Sequence, residues 1–251
     1  MNIFCWNCRG AGKAATVREL RDFARQFTPT LLCVVETQIE GARVEALAGT
    51  LGFDNSYVVS IQGRSGGIGL FWNNSIKVEI LGYYVHHLDV SVEEQDAEKW
   101  RMTCVYAEAR THMRHHTWTT LKNISTLSDL PWLYLGGFNE ALCPDEHQGV
   151  GQRSNAQIQA FREVLDVCML LDLGYKGNFW TFKKKVTGGS YTRCRLDRAL
   201  VSASWLARFP LASVTHLLGV TSDHAPLLIE REAGNAAQFP KPFRYETMWE
   251  T

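Results

Sequence analysis

Seven positions carry side chains from which a reaction centre could be assembled: Asn7, Glu36, Tyr106, Asn139, Asp197, Asp223 and His224. Each stands at or beside the end of an apolar run that reads as a strand, in "FCWN", "LLCVVE", "TCVY", "WLYLGGFN", "CRLDRAL" and "SDHAPLLI". Carboxylates such as Glu36 and Asp223 are hard oxygen ligands for a divalent cation. Neutral donors such as Asn, Tyr and His hold oxyanion oxygens where negative charge builds up. Taken singly, each residue has a plainer reading as a solvated loop residue, a helix cap or a surface histidine. Their combination is harder to dismiss, because several stand in apolar surroundings that penalise an unpaired polar group.

These side chains need a scaffold, and the chain alternates strand and helix patterns. "NIFCWN" reads as a first strand and "KAATVRELRDFARQF" as an amphipathic helix, with Val17, Leu20, Phe23, Ala24 and Phe27 on one stripe. "TLLCVVET" is continuously apolar, as in a strand buried on both faces. "NSYVVSI", "GGIGLFWN", "KVEILGYYV", "LDVSVEE" and "WRMTCVYAE" follow as strands separated by turn residues. "HHTWTTLKNISTLS" and "NAQIQAFREVLDVCML" read as helices, the second capped by Ser154 or Asn155. Meanders mixed with β-α-β steps imply layered α/β architecture with mixed sheets, where ligands collect beyond strand ends.

The chain has 251 residues, of which 45% are hydrophobic and 21% charged, with 26 basic and 26 acidic side chains and a formal net charge of zero. That fits one large domain and excludes a uniformly basic surface, though not a local patch. The seven cysteines read as free thiols of a reducing compartment; Cys5 and Cys8 form a C-x-x-C with no second pair to complete a zinc site. No basic leader or membrane-length apolar run appears, so an intracellular chain, cytoplasmic or nuclear, is expected. The tail from Ala233 loses the strand pattern and contains Pro240 and Pro242. The expected organisation is one domain over residues 1–232, followed by a linker, 233–251, toward a missing downstream region.

In their order, "FCWNCRG", "LLCVVETQ", "GGIGLFW", "VYAEAR", "LGGFNE", "RLDRALVS" and "SDHAPLLI" resemble the endonuclease/exonuclease/phosphatase superfamily. The likeness is greatest to the endonuclease domain of LINE-type (non-LTR) retrotransposon polyproteins of plants, over about residues 1 to 231. The resemblance implies a four-layered α/β sandwich, with two mixed β-sheets packed face to face and helices on the outside. It implies a Mg²⁺-dependent phosphodiester hydrolase, with Mn²⁺ as a possible substitute, that nicks DNA as a monomer, touches no membrane and is joined covalently to a reverse transcriptase.

The roles the resemblance implies are these. Glu36 is the main metal carboxylate, Asp223 assists, and Asn7 supports metal and phosphate. Tyr106 donates to the phosphate, and Asn139 positions the phosphate or the attacking water. His224 donates to a phosphate oxygen, while Asp197 accepts from its other nitrogen and fixes its tautomer. The chemistry is coherent: a phosphodiester anion repels hydroxide, so a hard cation must offset its charge.

One position departs from the pattern. The family's strand after "L-G" presents Asp, one residue, then Asn; here the order is Gly136-Gly137-Phe138-Asn139. Gly137 replaces the catalytic Asp that accepts the proton of the attacking water. General-base catalysis contributes about 10²–10⁴-fold, so impaired activity is expected. Glu140, Asp145 and Glu146 are the nearest carboxylates for a rescue. Ala107 stands where relatives carry Gly.

"FKKKVTGGSYTRCR" reads either as a solvated hairpin or as a DNA-backbone loop through Lys184, Arg193 and Arg195. Arg9 and Arg110 are further candidate phosphate contacts. His112 and His116 have i, i+4 spacing but no third ligand, and read as a solvated helix start. Trp180 reads as core. Two alternatives stay open: another phosphatase or phosphodiesterase of the superfamily, and a non-catalytic, domesticated nucleic-acid-binding module.

Overall fold

The computed structural model describes residues 1–61, 66–151, 153–186 and 191–232. The reading of 233–251 as a linker, and the tip of the basic hairpin at 187–190, lie outside the described residues.

Two mixed sheets face each other. The first has seven strands in the order β11 (Lys176–Gly177), β15 (Ser213–His216), β16 (Leu227–Glu230), β1 (Asn2–Asn7), β2 (Leu31–Val35), β4 (Ile68–Trp72) and β3 (Asn55–Val59). The second has six: β10 (Leu170–Asp172), β14 (Asp197–Ser202), β8 (Trp132–Gly137), β7 (Trp100–Tyr106), β6 (His87–Glu94) and β5 (Ile76–Tyr84). A small three-stranded sheet, β12 (Phe182–Lys185), β13 (Tyr191–Cys194) and β9 (His147–Gln148), stands beside them.

Strand alternation decides which side chains fill which layer, because successive residues point to opposite faces. Ile3, Cys5, Leu31, Cys33 and Val35 meet Met102, Cys104, Leu133, Leu135 and Ala199 in the core between the sheets. Phe4, Trp6, Leu32 and Val34 point the other way, under Leu20 and Ala24 of α1 (Ala14–Phe27), Val44 of α2 (Gly41–Glu45) and Leu47 and Leu51 of α3 (Leu47–Leu51). Val105, Tyr134 and Leu200 likewise pack outward on Trp118 and Leu121 of α4 (Arg114–Ser125) and Phe161 and Val164 of α5 (Asn155–Val167). The result is helix, sheet, sheet, helix, as expected. A short α6 (Ala203–Arg208) follows β14. Strands apolar on both faces are what a doubly covered sheet requires. Two short helices, α2 and α3, meet at Ala46.

The cap of α5 is Ser154. Its hydroxyl accepts from Gln157 N, and the Gln157 side chain accepts from Ser154 N, which satisfies two otherwise orphaned donors. Ser154→Ala should therefore lower stability by about 0.5–2 kcal/mol in urea unfolding. A loss of nothing would mean that solvent replaces the cap at no cost.

All seven cysteines are free, and all but Cys143 are buried. Burial pushes the Cys8 thiol up to about 12, so it is inert rather than reactive.

Candidate active site

β1 and β2 run parallel, as do β7 and β8, so four carboxyl ends share one rim of the sandwich. β14 runs antiparallel to β8 and therefore begins at that rim, with Asp197 opposite Gly137. Asn7, Glu36, Tyr106, Gly137 and Asp197 thus reach one place from separate stretches of the chain. The segment before β16 adds Asp223 and His224.

The turns that present these residues are bent in a way side chains rarely allow. Arg9, Glu36 and Asn139 take φ of 47°, 57° and 55°, in the left-handed region. Such outliers cluster at functional sites, where surrounding contacts hold them. Those contacts are present: Gly10 N donates to Glu36 O at 2.9 Å and Ala11 N to Thr37 O at 2.8 Å. The Asn139 amide donates to Ala107 O at 2.6 Å, and Ala107 N donates to Gly137 O at 2.8 Å.

His224 is buried, and its Nδ1 lies 2.8 Å from Asp197 Oδ2. That bond fixes the imidazole's orientation and directs Nε2 away from Asp197. The expected pairing is therefore present. Its support comes from residues that the sequence reading did not single out. The Thr181 hydroxyl accepts from Leu196 N and Asp197 N, and Thr181 O accepts from Ala225 N at 2.7 Å. The Ser222 hydroxyl donates to Asn7 O at 2.7 Å and accepts from His224 N. Trp6 Nε1 donates to His224 O. The one available signal was position: Ser222 directly precedes Asp223-His224, and Thr181 lies inside "NFWTF".

Opposite the imidazole, the Arg9 guanidinium spans two carboxylates. Its Nη1 donates to Asp223, and its Nε lies 3.9 Å from Glu36 Oε1. One guanidinium therefore bridges the two carboxylates. Asp223 Oδ1 and Asn7 Nδ2 are buried without a partner, and buried polar atoms are rarely left so. Tyr106 faces the same carboxylate. Burial, reinforced by Glu36, pushes its phenol well above the ordinary value, so it stays a protonated donor. Among the described residues no three His, Cys, Asp or Glu side chains converge as a metal-binding group. Two carboxylates with amide oxygens and water are nevertheless a donor set that Mg²⁺ accepts. The residues present fit such an ion.

Gly136 and Gly137 differ in kind. Gly136 has φ of 132°, and a Cβ there would meet Val105 O at 2.1 Å, so only glycine fits. Gly137 has no such constraint. A Cβ there would lie 3.1 Å from Asp197 Oδ1 and 3.9 Å from Asn7 Nδ2, facing the site. Neither neighbouring glutamate substitutes. Glu140 is buried in ion pairs with Arg114 and Arg153, and Glu146 in pairs with Arg195 and Arg198. Asp145 is exposed in the 3-10 turn Pro144–Glu146.

The basic candidates divide. Arg9 is in the site. Arg110 is held by Glu108, accepted at 3.0 and 2.8 Å, and the Arg110 hydrogen bonds bring that carboxyl down to about 2. Lys184 is exposed on β12. The Arg193 guanidinium lies 5.9 Å from the Tyr191 ring centroid on β13. Arg195 as a DNA contact is corrected: it is 5% exposed and paired with Glu146 at 3.0 Å and Asp172 at 2.9 Å, so it cannot reach a ligand. Trp180 as core is also corrected. It is half-buried and lines a cleft of about 270 Å³ with Phe182, Lys183, Leu218, Asp223 and His224.

Two face-to-face mixed sheets, with carboxylates, an oriented imidazole, a phenol and amides gathered at one rim, define an α/β sandwich with one polar edge. The model of the endonuclease/exonuclease/phosphatase family matches residues 4–224, and the chain belongs to that family. Among solved structures it is similar to the endonuclease domain of TRAS1, a telomere-specific non-LTR retrotransposon, with TM-score 0.69, 15% identity, and coverage of 91% of this chain and 97% of that one. It is also similar to the AP endonuclease LMAP from Leishmania major (TM-score 0.68, 19% identity, 91% and 86% covered). A third is the 3'-5' exonuclease NExo from Neisseria meningitidis (0.69, 18%, 92% and 100%). At these identities the likeness shows the fold. No curated protein matches the sequence. No described helix is long and apolar enough to cross a membrane.

Proposed function

We propose that this chain is a DNA-directed phosphodiesterase domain of the retrotransposon endonuclease type, impaired because position 137 offers no proton acceptor. The observation that carries the reading is the His224–Asp197 pair set opposite Glu36 and Asp223, with Gly137 between Asp197 and Asn7. In this reading Glu36, Asp223 and the Asn7 amide oxygen hold Mg²⁺ or Mn²⁺. The ion supplies positive charge against the phosphate when bound. Tyr106 and His224 donate to phosphoryl oxygens, and Asp197 keeps the imidazole aimed. Asn139, its amide nitrogen tied to Ala107 O, turns its oxygen toward the water or phosphate. As in the retrotransposon polyproteins the sequence resembles, a reverse transcriptase would follow on the same chain.

A second reading, a nucleic-acid-binding module without catalysis, is favoured by two observations. Gly137 removes the base, and Arg9 already places a cation across Glu36 and Asp223.

The test is nicking of supercoiled plasmid with Mg²⁺ or with chelator, beside DNA binding by fluorescence anisotropy. Slow, metal-dependent nicking that disappears in Glu36→Ala is expected. Tight binding with no nicking above the Glu36→Ala background would favour the binding module. Release of phosphate from lipid head groups without action on DNA would favour a phosphatase of the same family.

A further inference from the structure

The segments that leave Asn7 and Glu36 run side by side away from the site, the first into α1 and the second into α2. Between these two helices lies a concavity of about 400 Å³. Arg18 and Arg21 project into it from α1, three residues apart on one helix face, and Arg43 projects from α2. Gly12, Ile39 and Leu47 complete its floor and wall, and no carboxylate lines it.

Three features make this more than a solvated charged face. None of the three arginines forms an ion pair among the described residues, although most other arginines in the structure do. Arg21 Nε is buried and has no hydrogen-bond partner, a state that costs free energy unless a ligand relieves it. Arg43 is drawn over Gly12, where a Cβ would sit 3.9 Å from its Nη2 and 2.8 Å from Ile39 Cγ2, so a side chain there would obstruct the pocket. In a chain of zero formal net charge, three unpaired guanidinium groups in one hollow focus a positive field.

We propose that this pocket binds a phosphate group, and specifically a non-scissile backbone phosphate of the DNA strand that crosses the neighbouring site. Guanidinium groups match phosphate oxygens through paired N–H donors. The pocket's two walls are the direct continuations of the strands that carry Asn7 and Glu36. In this proposal a strand with one phosphate at the site runs on to this hollow. The proposal rests on the DNA reading given above and adds to it an anchor remote from the reacting atoms.

The experiment compares the wild-type chain with R18Q/R21Q/R43Q and R18K/R21K/R43K. Binding of a fluorescein-labelled DNA duplex is followed by anisotropy over a salt series, and circular dichroism confirms folding. Each phosphate contact contributes about 0.9 to the slope of log K against log salt. The glutamine variant should bind at least about tenfold more weakly at low salt and lose about 0.9 of slope, the share of one phosphate. The lysine variant, which keeps the charge, should retain most of the slope. A glutamine variant with wild-type slope and affinity overturns the proposal. A second arm measures Tm in inorganic phosphate against chloride at equal ionic strength. Phosphate stabilisation that is lost in the glutamine variant, together with an unchanged DNA slope, overturns the backbone assignment and makes free phosphate the ligand. A wild-type chain that binds no DNA brings down the functional reading itself, a result distinct from a wild-type chain that binds DNA without using these arginines.

Discussion

Gly137→Asp should raise Mg²⁺-dependent plasmid nicking at least about tenfold, toward the 10²–10⁴-fold that a positioned general base contributes. The backbone is ready for the side chain. Position 137 ends β8 outside the left-handed region that forces glycine at 136. The new Cβ would sit 3.1 Å from Asp197 Oδ1, so that side chain must give by a few tenths of an ångström. The added carboxylate would lie between Asp197 and the unpartnered Asn7 amide. A carboxylate beside another carboxylate is disfavoured as an anion, which raises its proton affinity and suits it to accept a proton. The Asn7 N–H donor holds it in place. Gly137→Asn supplies the same shape without the base and should stay at the wild-type rate. Single-turnover nicking of Gly137→Asp, Gly137→Asn and the double variant Gly137→Asp/Glu36→Ala separates the cases. If Asp and Asn variants nick alike, position 137 has no part in proton transfer.

The scaffold was legible because its signal is local. Alternation in "NIFCWN" and "TLLCVVET" sorts side chains into the two layers they occupy, and the stripe of α1 covers one of them. Motif order drew attention to Asn7, Glu36, Tyr106, Asp197, Asp223 and His224, and these residues lie together in the fold. What stayed hidden depends on contacts across long separations. Thr181 serves the site through one hydroxyl that accepts two backbone donors sixteen residues along the chain or nearly so. No composition rule marks such a threonine. Arg195 was misread because a run of basic residues beside a hairpin looks like a nucleic-acid contact. Its partners, Glu146 and Asp172, are 49 and 23 residues away. Local charge cannot show that a guanidinium is already spent on the interior.

That interior cluster sets the second large effect: Arg198→Met should cost about 3–5 kcal/mol of stability at neutral pH. Arg198 is fully buried, with Nη1 donating to Glu146 at 2.9 Å and Asp172 at 2.8 Å, and Nη2 donating to Glu146 and to Arg195 O. Methionine matches much of the volume but leaves two buried carboxylates with Arg195 alone. Burial by itself would raise the carboxyl pKa of both acids. For Glu146 the Arg198 hydrogen bond and charge, the Leu142 N–H and the Arg195 charge together outweigh it, and for Asp172 the Arg195 hydrogen bond with the Arg198 and Arg195 charges does, so both end below their ordinary values. A carboxyl lowered on folding contributes stability above its unfolded pKa, near 4, and that contribution is lost as pH falls through the folded value. With Arg198 gone, burial is no longer outweighed to the same degree, and the acids take up protons at higher pH. The stability gap between wild type and Arg198→Met should therefore be widest near pH 7 and narrow as pH approaches about 4. Urea unfolding across that range reads the gap directly. A gap that is constant with pH would mean that Arg198 acts by packing rather than charge. Because Arg198 neighbours Asp197 at the start of β14, the variant should also loosen the His224 imidazole. Broadened His224 ring signals in NMR spectra would report that loosening even where the fold survives.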